Sequence, residues 1–546
     1  MRDATDLEQK IGEIPYRTRW RYDIKTDYIP GTRTDFLDYI ARWVANPDSK
    51  RGLVLFGQAG TGKSSIAQEI ARRFQAMNRL TSYFTFLRAE QRKREDYHLF
   101  TTIVHDLSQR YPSFKIALGK VIRDNKSLRT AQHYRLLFES MILRPLEDVQ
   151  LVGPVFIIID GLDESGDVLG QEGLHRFLVE HLVQLPANFR VLITSRPEPD
   201  IVEQFTQFKT AFDIVLMDDP DLSASTDKDI YLYLQTKLPR NTFEKYGDEL
   251  AKKTEGLFQW VAVACGYINS PPRGLTRDQC VRGLLADHAD LVGLHQVLGP
   301  LNSLYKQVLE GYLESDFVLR QFQSVIGPLL AAFEPLSIDS LATLSQYSVG
   351  EEDVEDSVVA IASPLGSLLS NVTSTDRTLP IIPLHTSFRD FLTNQQLSGP
   401  FYIDLGEAHH QLAQSSLALM LENLKFNICE LPSSYYPNNK IDDLQPRADS
   451  HISSALFYAC RFWEDHLERV TPRDELLHQV RTLLETNFLF WLEVLSLKNL
   501  VALATPALSS LVRWLALGQH SEVCPTFDTG IEETNVHDRN RVAETT

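Results

Sequence analysis

The sequence predicts an α/β domain built on a doubly wound, mainly parallel sheet, followed by a long all-α remainder. Three observations carry this. Short apolar runs recur between about residues 50 and 215, among them the wholly apolar Leu53–Phe56 and Val155–Ile159 and the largely apolar FRVLITS stretch that ends at Ser195; such runs suit parallel strands buried on both faces. Helical spacing fills the gaps between them, as with Ile66, Ile70, Ala71 and Phe74. Past that region, stretches such as LGEAHHQLAQSSLALMLENL, HISSALFYACRFWEDHLERV and FLFWLEVLSLKNLVALATPALSSLVRWLAL interleave aromatic and aliphatic faces at helical period.

Size and composition bound the reading. At 546 residues the chain is too long for one core and suggests roughly three or four domains. With 43% hydrophobic and 23% charged residues it has the make-up of an ordinary globular protein. A net charge of −18 argues against a nucleic-acid partner, which usually demands a basic face. The basic cluster Arg88, Arg92, Lys93 and Arg94 reads as a solvated face. Five cysteines lie far apart without CxxC or histidine pairing, which fits reduced thiols and not a metal site. The N-terminus carries acids where a signal peptide needs an apolar segment, and no stretch approaches the ~20 apolar residues of a membrane helix. The expectation is a cytoplasmic protein with no membrane span and no nucleic-acid partner.

The first strand leads into the chemistry. After Leu53–Phe56, the residues Gly57, Gly62, Lys63 and Ser64 complete GxxxxGK[ST], with an extra Gly60 inside it, and a helix follows. Glycines let backbone N–H groups turn inward around phosphate oxygens, and the helix N-terminus adds roughly half a positive charge. Lys63 can reach the terminal phosphates, and the Ser64 hydroxyl is placed to ligate Mg2+.

The second apolar run, Val155–Ile159, ends in Asp160, at the strand end where open parallel sheets bind ligands. Asp160 is the candidate for holding Mg2+, directly or through water. Asp163 and Glu164 follow within one turn and could orient or deprotonate an attacking water. Asp163 could equally serve as a turn or cap residue, and Glu164 as a solvated surface acid. The third strand ends in Thr194, Ser195 and Arg196; an arginine there could pair with a terminal phosphate, or form a surface salt bridge. A further strand is read at Tyr83–Leu87.

Together, FGQAGTGKSS, VFIIIDGLDES and VLITSRP, preceded by YIPGTRTDFLDYIARW, resemble the NACHT-type P-loop NTPases of the STAND class. The likeness is greatest to the fungal set related to heterokaryon-incompatibility proteins and to the nephrocystin-3-like N-terminal domain. The later stretches LAKKTEGLFQWVAVACGYI, LNSLYKQVLEGYL with VIGPLLAAFEPLSIDSLATL, and IIPLHTSFRDFLT resemble that family's helical and winged-helix regions. The resemblance implies the NTPase domain at 28–212, a helical domain at 213–300 and a winged-helix-like domain at 301–398; a short extension stands before them at 1–27, helical periodicity gives a C-terminal helical domain at 399–518, and the polar, acidic and aperiodic residues 519–546 read as a disordered tail.

The same resemblance implies a set of roles. Pro30, Gly31, Thr32 and Arg33 would lie beside adenine and ribose. Gly57, Gln58, Ala59, Gly60, Thr61, Gly62, Lys63, Ser64 and Ser65 would wrap the phosphates of ATP or ADP. Ser64 and Asp160 would hold Mg2+, Asp163 and Glu164 would serve hydrolysis with Lys63, and Arg196 would sense the terminal phosphate. His385 would bridge the winged helix to bound diphosphate, although its place before SFRDFL also suits a packed or capping histidine. Many relatives carry a proline after the glycine of the helical domain, whereas this chain has Gly256-Leu257-Phe258, so Leu257 or Phe258 would take that place.

Relatives usually carry an effector domain before the core and a repeat array after it. Neither is evident here: about 27 residues precede the core, and no segment repeats at 33 to 47 residues. The function implied is a nucleotide-dependent switch of conformation and oligomerisation, of the fungal non-self-recognition and cell-death type. It would hydrolyse slowly and assemble with itself or with related NACHT proteins. The alternatives are a P-loop ATPase with ordinary turnover, and a decoy that co-assembles with full-length relatives.

Overall fold

The computed structural model describes residues 28–517, apart from 87–96, 126, 129–130, 132, 166–172, 218–219, 273, 287–291, 314, 350–353, 373–375 and 434–435. The expected N-terminal extension and tail, Cys524 and the basic cluster Arg88, Arg92, Lys93 and Arg94 lie outside the described residues. The chain divides into two compact units, Met1–Ala408 and His409–Thr546.

Five parallel strands form the sheet of the first unit: β1 Gly52–Phe56, β2 Leu80–Thr85, β3 Val155–Asp160, β4 Phe189–Ser195 and β5 Phe212–Leu216. Their spatial order is β2-β3-β4-β1-β5, which puts β4 between β1 and β3. Alternation along each strand explains why the runs are apolar throughout. Leu53, Leu55, Phe156 and Ile158 face one core with α1 (Thr34–Ala45) and α2 (Lys63–Ala76). Val54, Phe56, Ile157 and Ile159 face the other, with α3 (Tyr97–Arg110) and α4 (Pro112–Asp124). Helices therefore cover both faces, so the central stretches of β1, β3 and β4 are apolar on both sides. Phe74 and Trp43 meet Phe156 at centroid distances of 4.8 and 6.5 Å on the first side. Phe100, Phe138 and Phe177 form an edge-to-face cluster on the second.

The register places the site. Phe56 pairs with Ser195, and Thr85 with Asp160. The C-terminal ends of the strands therefore finish nearly level, which gathers the phosphate loop, Asp160 and Arg196 along one edge.

Helices follow the sheet: α5 (Pro220–Lys237), α6 (Arg240–Lys253), α7 (Phe258–Asn269) and α8 (Arg277–Leu285), the last with a capping box between Thr276 and Gln279. The next helical segment, α9 (Val292–Tyr312), bends at Gly299, where φ is 72° and Pro300 follows. Three helices, α10 (Asp316–Ala331), α11 (Ile338–Val349) and α12 (Val354–Ala362), lead into a two-stranded antiparallel ribbon pairing Leu369–Ser370 with Ile382–Pro383. The short α13 (Thr386–Leu392) comes directly after it.

The second unit is helical, with Ser454–Leu467, Asp474–Thr482, Phe488–Leu497 and Ala504–Leu517 among its elements. Trp463 and Trp491 cross edge to face at 5.8 Å in its core, and the Trp491 indole donates to the Cys460 carbonyl at 2.8 Å. Among the described residues no helix is long and apolar enough to cross a membrane.

Gly52 makes the β1–β5 contact possible. A Cβ there would stand 2.1 Å from a ring carbon of Phe212, which is buried and cannot swing aside. Gly52→Ala is expected to cost about 1–3 kcal/mol through overpacking, read as a lowered urea midpoint at unchanged m-value.

Candidate functional site

The phosphate loop begins where β1 ends. Gly60 (φ 86°) and Gly62 (φ 91°) both take left-handed backbone, a conformation side-chain-bearing residues avoid, and this wraps 57–62 into a nest ahead of α2. The Lys63 ammonium donates to the Gly57 carbonyl at 2.5 Å and the Gln58 carbonyl at 2.9 Å, so it lies over the loop. Ala59 and Thr61 fill the turn, where the Thr61 hydroxyl donates to the Gln58 carbonyl at 3.0 Å, and Ser65 follows in the first turn of α2.

Asp160 is buried at the end of β3 and collects three hydroxyls. Thr194 donates to its Oδ1 at 2.5 Å, Ser64 to the same oxygen at 3.1 Å and Tyr83 to Oδ2 at 3.3 Å. Burial pushes the Asp160 carboxyl above the usual carboxylate range, against the opposing pull of the three hydroxyls and the charge of Lys63. The Ser64 hydroxyl and the Asp160 carboxylate are thus paired hard oxygens beside the loop. Mg2+ is held by one or two carboxylates together with substrate phosphates, and this pair fits such a donor set.

Beyond Asp160 the chain turns at Gly161, whose N–H donates to the Thr194 hydroxyl at 2.9 Å, into a single 3₁₀ turn, Leu162–Glu164. That turn presents Asp163 to Arg196. Asp163 Oδ1 accepts the Arg196 backbone N–H at 2.9 Å, and Oδ2 lies 3.2 Å from Nε. The rest of the guanidinium is engaged from α13: Nη1 donates to Asp390 Oδ2 at 2.7 Å and Nη2 to the Thr386 hydroxyl at 2.9 Å. Thr386 and Asp390 are four residues apart on one helix face, the spacing that lets both reach one partner. Burial works against the Arg196 charge, yet Asp390, Asp163 and Glu164 together hold its pKa above the ordinary value.

His385 sits at the N-cap of α13, where its Nδ1 accepts the Ser387 backbone N–H at 3.1 Å. It is therefore a capping histidine. It also feels Lys63 and Arg196: burial, then repulsion by those two cations, lowers its pKa to about 3, with Asp390 opposing. The capping role and proximity to the phosphate loop coexist in one side chain.

Of the entry segment, Arg33 reaches furthest. Its backbone, left-handed at φ 54°, donates to Asp229 at 2.9 Å, while its guanidinium donates to the Thr226 hydroxyl at 2.7 Å and the Thr61 carbonyl at 3.3 Å. The Phe258 ring lies 5.0 Å from that guanidinium. Thr32 is buried and donates to the Ile29 carbonyl, whereas Pro30 and Gly31 are exposed. Phe258, next to Leu257, is the aromatic against Arg33 and the loop. The following residue, Gln259, donates its backbone N–H to the Gly60 carbonyl at 3.1 Å.

Sequence reasoning missed Tyr83, Thr386, Asp390, Gln259, Tyr305 and Ser387 as neighbours of the site. Only the i, i+4 spacing of Thr386 and Asp390 signalled that they act together.

Residues 31–196 match the family model of nephrocystin 3, N-terminal. Among solved structures, the chain is similar to a signal transduction ATPase with numerous domains (STAND) protein with a tetratricopeptide repeat sensor from Pyrococcus horikoshii. The identity is 15% and the TM-score 0.38, over 92% of this chain and 65% of that one, so this chain spans just under two thirds of its length. No curated protein matches.

Replacing Lys63 by Ala removes the one side-chain cation rooted in the loop and is expected to weaken binding of a fluorescent ADP by about 100-fold, on the scale of charge-assisted phosphate bonds. Asp163→Asn is expected to leave that affinity within about threefold while slowing ATP hydrolysis. Equal loss of binding in both variants would exclude the role given to Asp163.

Proposed function

We propose that this chain is a STAND-type signalling NTPase, a switch that rests with ADP and opens when ATP replaces it. The observation that carries this is the sharing of Arg196: a strand-end arginine beside the phosphate loop is already bonded by Asp390 and Thr386 of α13. A ligand shifts a conformational equilibrium only by the difference in its contacts with the two states. A terminal phosphate offers Arg196 a competing anion, whereas a diphosphate leaves Asp390 in possession.

On this reading α10–α12 and the ribbon form a winged helix, and His385 with α13 is its nucleotide-facing end. Lys63 and the loop amides bind the phosphates, and Arg33 with Phe258 borders the base. Mg2+ on Ser64 and Asp160 would supply charge neutralisation at the phosphates. Asp163 orients Arg196, and Glu164 is the candidate to take a proton from the attacking water. Hydrolysis is slow and resets the switch. Opening exposes surfaces for assembly with further copies or related chains, in the cytoplasm. Moving such an equilibrium from 1:99 to 99:1 needs about 5.5 kcal/mol of differential binding. Two hydrogen bonds of the Arg196 guanidinium, exchanged from Asp390 and Thr386 to phosphate, are of the right order to contribute to it, at about 1.5–3 kcal/mol each.

Freshly purified protein, denatured and chromatographed, is expected to release ADP at about one per chain. Asp390→Asn keeps the side-chain volume but removes the charge that competes with phosphate. It is expected to speed ADP release about tenfold and to let a non-hydrolysable ATP analogue drive assembly, measured by light scattering. An empty site with rapid steady-state turnover, and no effect of Asp390→Asn, would favour an ordinary ATPase.

A further inference from the structure

Beneath His385 lies a chain of hydroxyls whose proton directions can be followed from one backbone hydrogen bond. The His385 Nδ1 accepts the Ser387 backbone N–H at 3.1 Å, so Nδ1 carries a lone pair and no proton. The Ser387 hydroxyl lies 2.7 Å from the same nitrogen and must therefore donate to it. That spends the only proton Ser387 has. The Tyr305 phenol, 2.8 Å from the Ser387 oxygen, must in turn be the donor of that contact. Tyr305 is fully buried in α9, its ring fixed against Phe388 at 5.2 Å and Phe391 at 5.6 Å. The ring proton of His385 is left on Nε2, and among the described residues no hydrogen-bond partner takes it.

We propose that Tyr305 and Ser387 are positioning residues that lock His385 in its neutral Nε2–H tautomer, making it a single-proton donor to a phosphate oxygen. This rests on the reading that His385 meets the nucleotide. Histidine toward a phosphate has two options: a cation, attracted by charge and lost as pH rises, or a neutral donor fixed in direction. The geometry selects the second. The charged groups facing His385 are Lys63 from the loop, Arg196 from the end of β4 and Asp390 from its own helix, and α9 presents Tyr305. Two of the three are cations, so a third positive charge is disfavoured there, in keeping with the lowered pKa. The unfolded histidine titrates near 6.5 and the folded one far below. His385 thus keeps one protonation state across the range where an ordinary histidine switches. Nucleotide retention through it is then independent of pH between about 5.5 and 8.

The link runs between separate parts of the chain. Gln259, bonded to the Gly60 carbonyl through its backbone, places its side chain as a hydrogen-bonding neighbour of the Tyr305 phenol. The phosphate loop, α7, α9 and α13 thus converge on one proton, and movement of α13 would withdraw the donor from the loop.

The test uses the full chain labelled with 15N-histidine, with the His385 signal assigned by its loss in His385→Gln. The expected spectrum shows an unprotonated Nδ1 and a protonated Nε2 from pH 5.5 to 8, and an ADP release rate flat over the same range. Ser387→Ala is expected to admit the second tautomer and speed ADP release several-fold. Tyr305→Phe, which keeps the ring packing, is expected to act in the same direction to a smaller extent. A wild-type His385 that titrates in this range, or that carries its proton on Nδ1, would overturn the proposal, as would both variants leaving tautomer and release unchanged. The expected tautomer, with ADP release untouched by His385→Gln, would instead overturn the reading that His385 meets the nucleotide, while the proton assignment stood.

Discussion

Everything at this site turns on one guanidinium with too many partners. Arg196 leaves the end of β4 and is held by Asp163 from the turn after β3 and by Asp390 and Thr386 from α13. A half-buried arginine must be paired, because an uncompensated charge away from water costs several kcal/mol. The pairing therefore cannot simply be dropped; it can only be exchanged for another anion. On the proposed reading, that constraint turns a salt bridge into a comparison between a carboxylate supplied by the chain and a phosphate supplied by the nucleotide.

The sheet explains why the comparison is made here. Inserting β4 between β1 and β3 places Arg196 between the phosphate loop and Asp160, and level register brings all three to the same edge. Helix α7 then lies directly on the loop. A Cβ on Gly60 would stand 2.8 Å from the Gln259 side chain, so loop and helix touch with no room between them. A shift of either is felt by the other, and packed interfaces of this kind tend to move between discrete arrangements instead of deforming smoothly.

The local parts of this design were legible in the sequence. The phosphate loop, the Asp160 strand end and Arg196 each sit in a contiguous motif whose spacing is its own evidence, and the apolar strands between covering helices followed from burial on both faces. Strand β5 was not read, because Phe212–Leu216 is short, half-exposed over most of its length and carries an aspartate. The partners of Arg196 were hidden for a different reason: Asp390 lies 194 residues away, and nothing in SFRDFL says which cation it will meet. Tyr305 is similar. In sequence it is one aromatic on an amphipathic helix, and only the fold sets its hydroxyl against Ser387. His385 could be read as a capping residue or as a nucleotide neighbour; the structure makes it the cap and sets it beside Lys63.

The central claim is that Asp390 and a terminal phosphate compete for Arg196, so that α13 is held in one nucleotide state and released in the other. Hydrogen exchange of the segment 384–392 measures this directly. With ADP bound, its amides should be protected, and with a non-hydrolysable ATP analogue they should exchange at least tenfold faster while the β3 and β4 amides stay unchanged. Equal protection in the two states, at saturating nucleotide, would contradict the account.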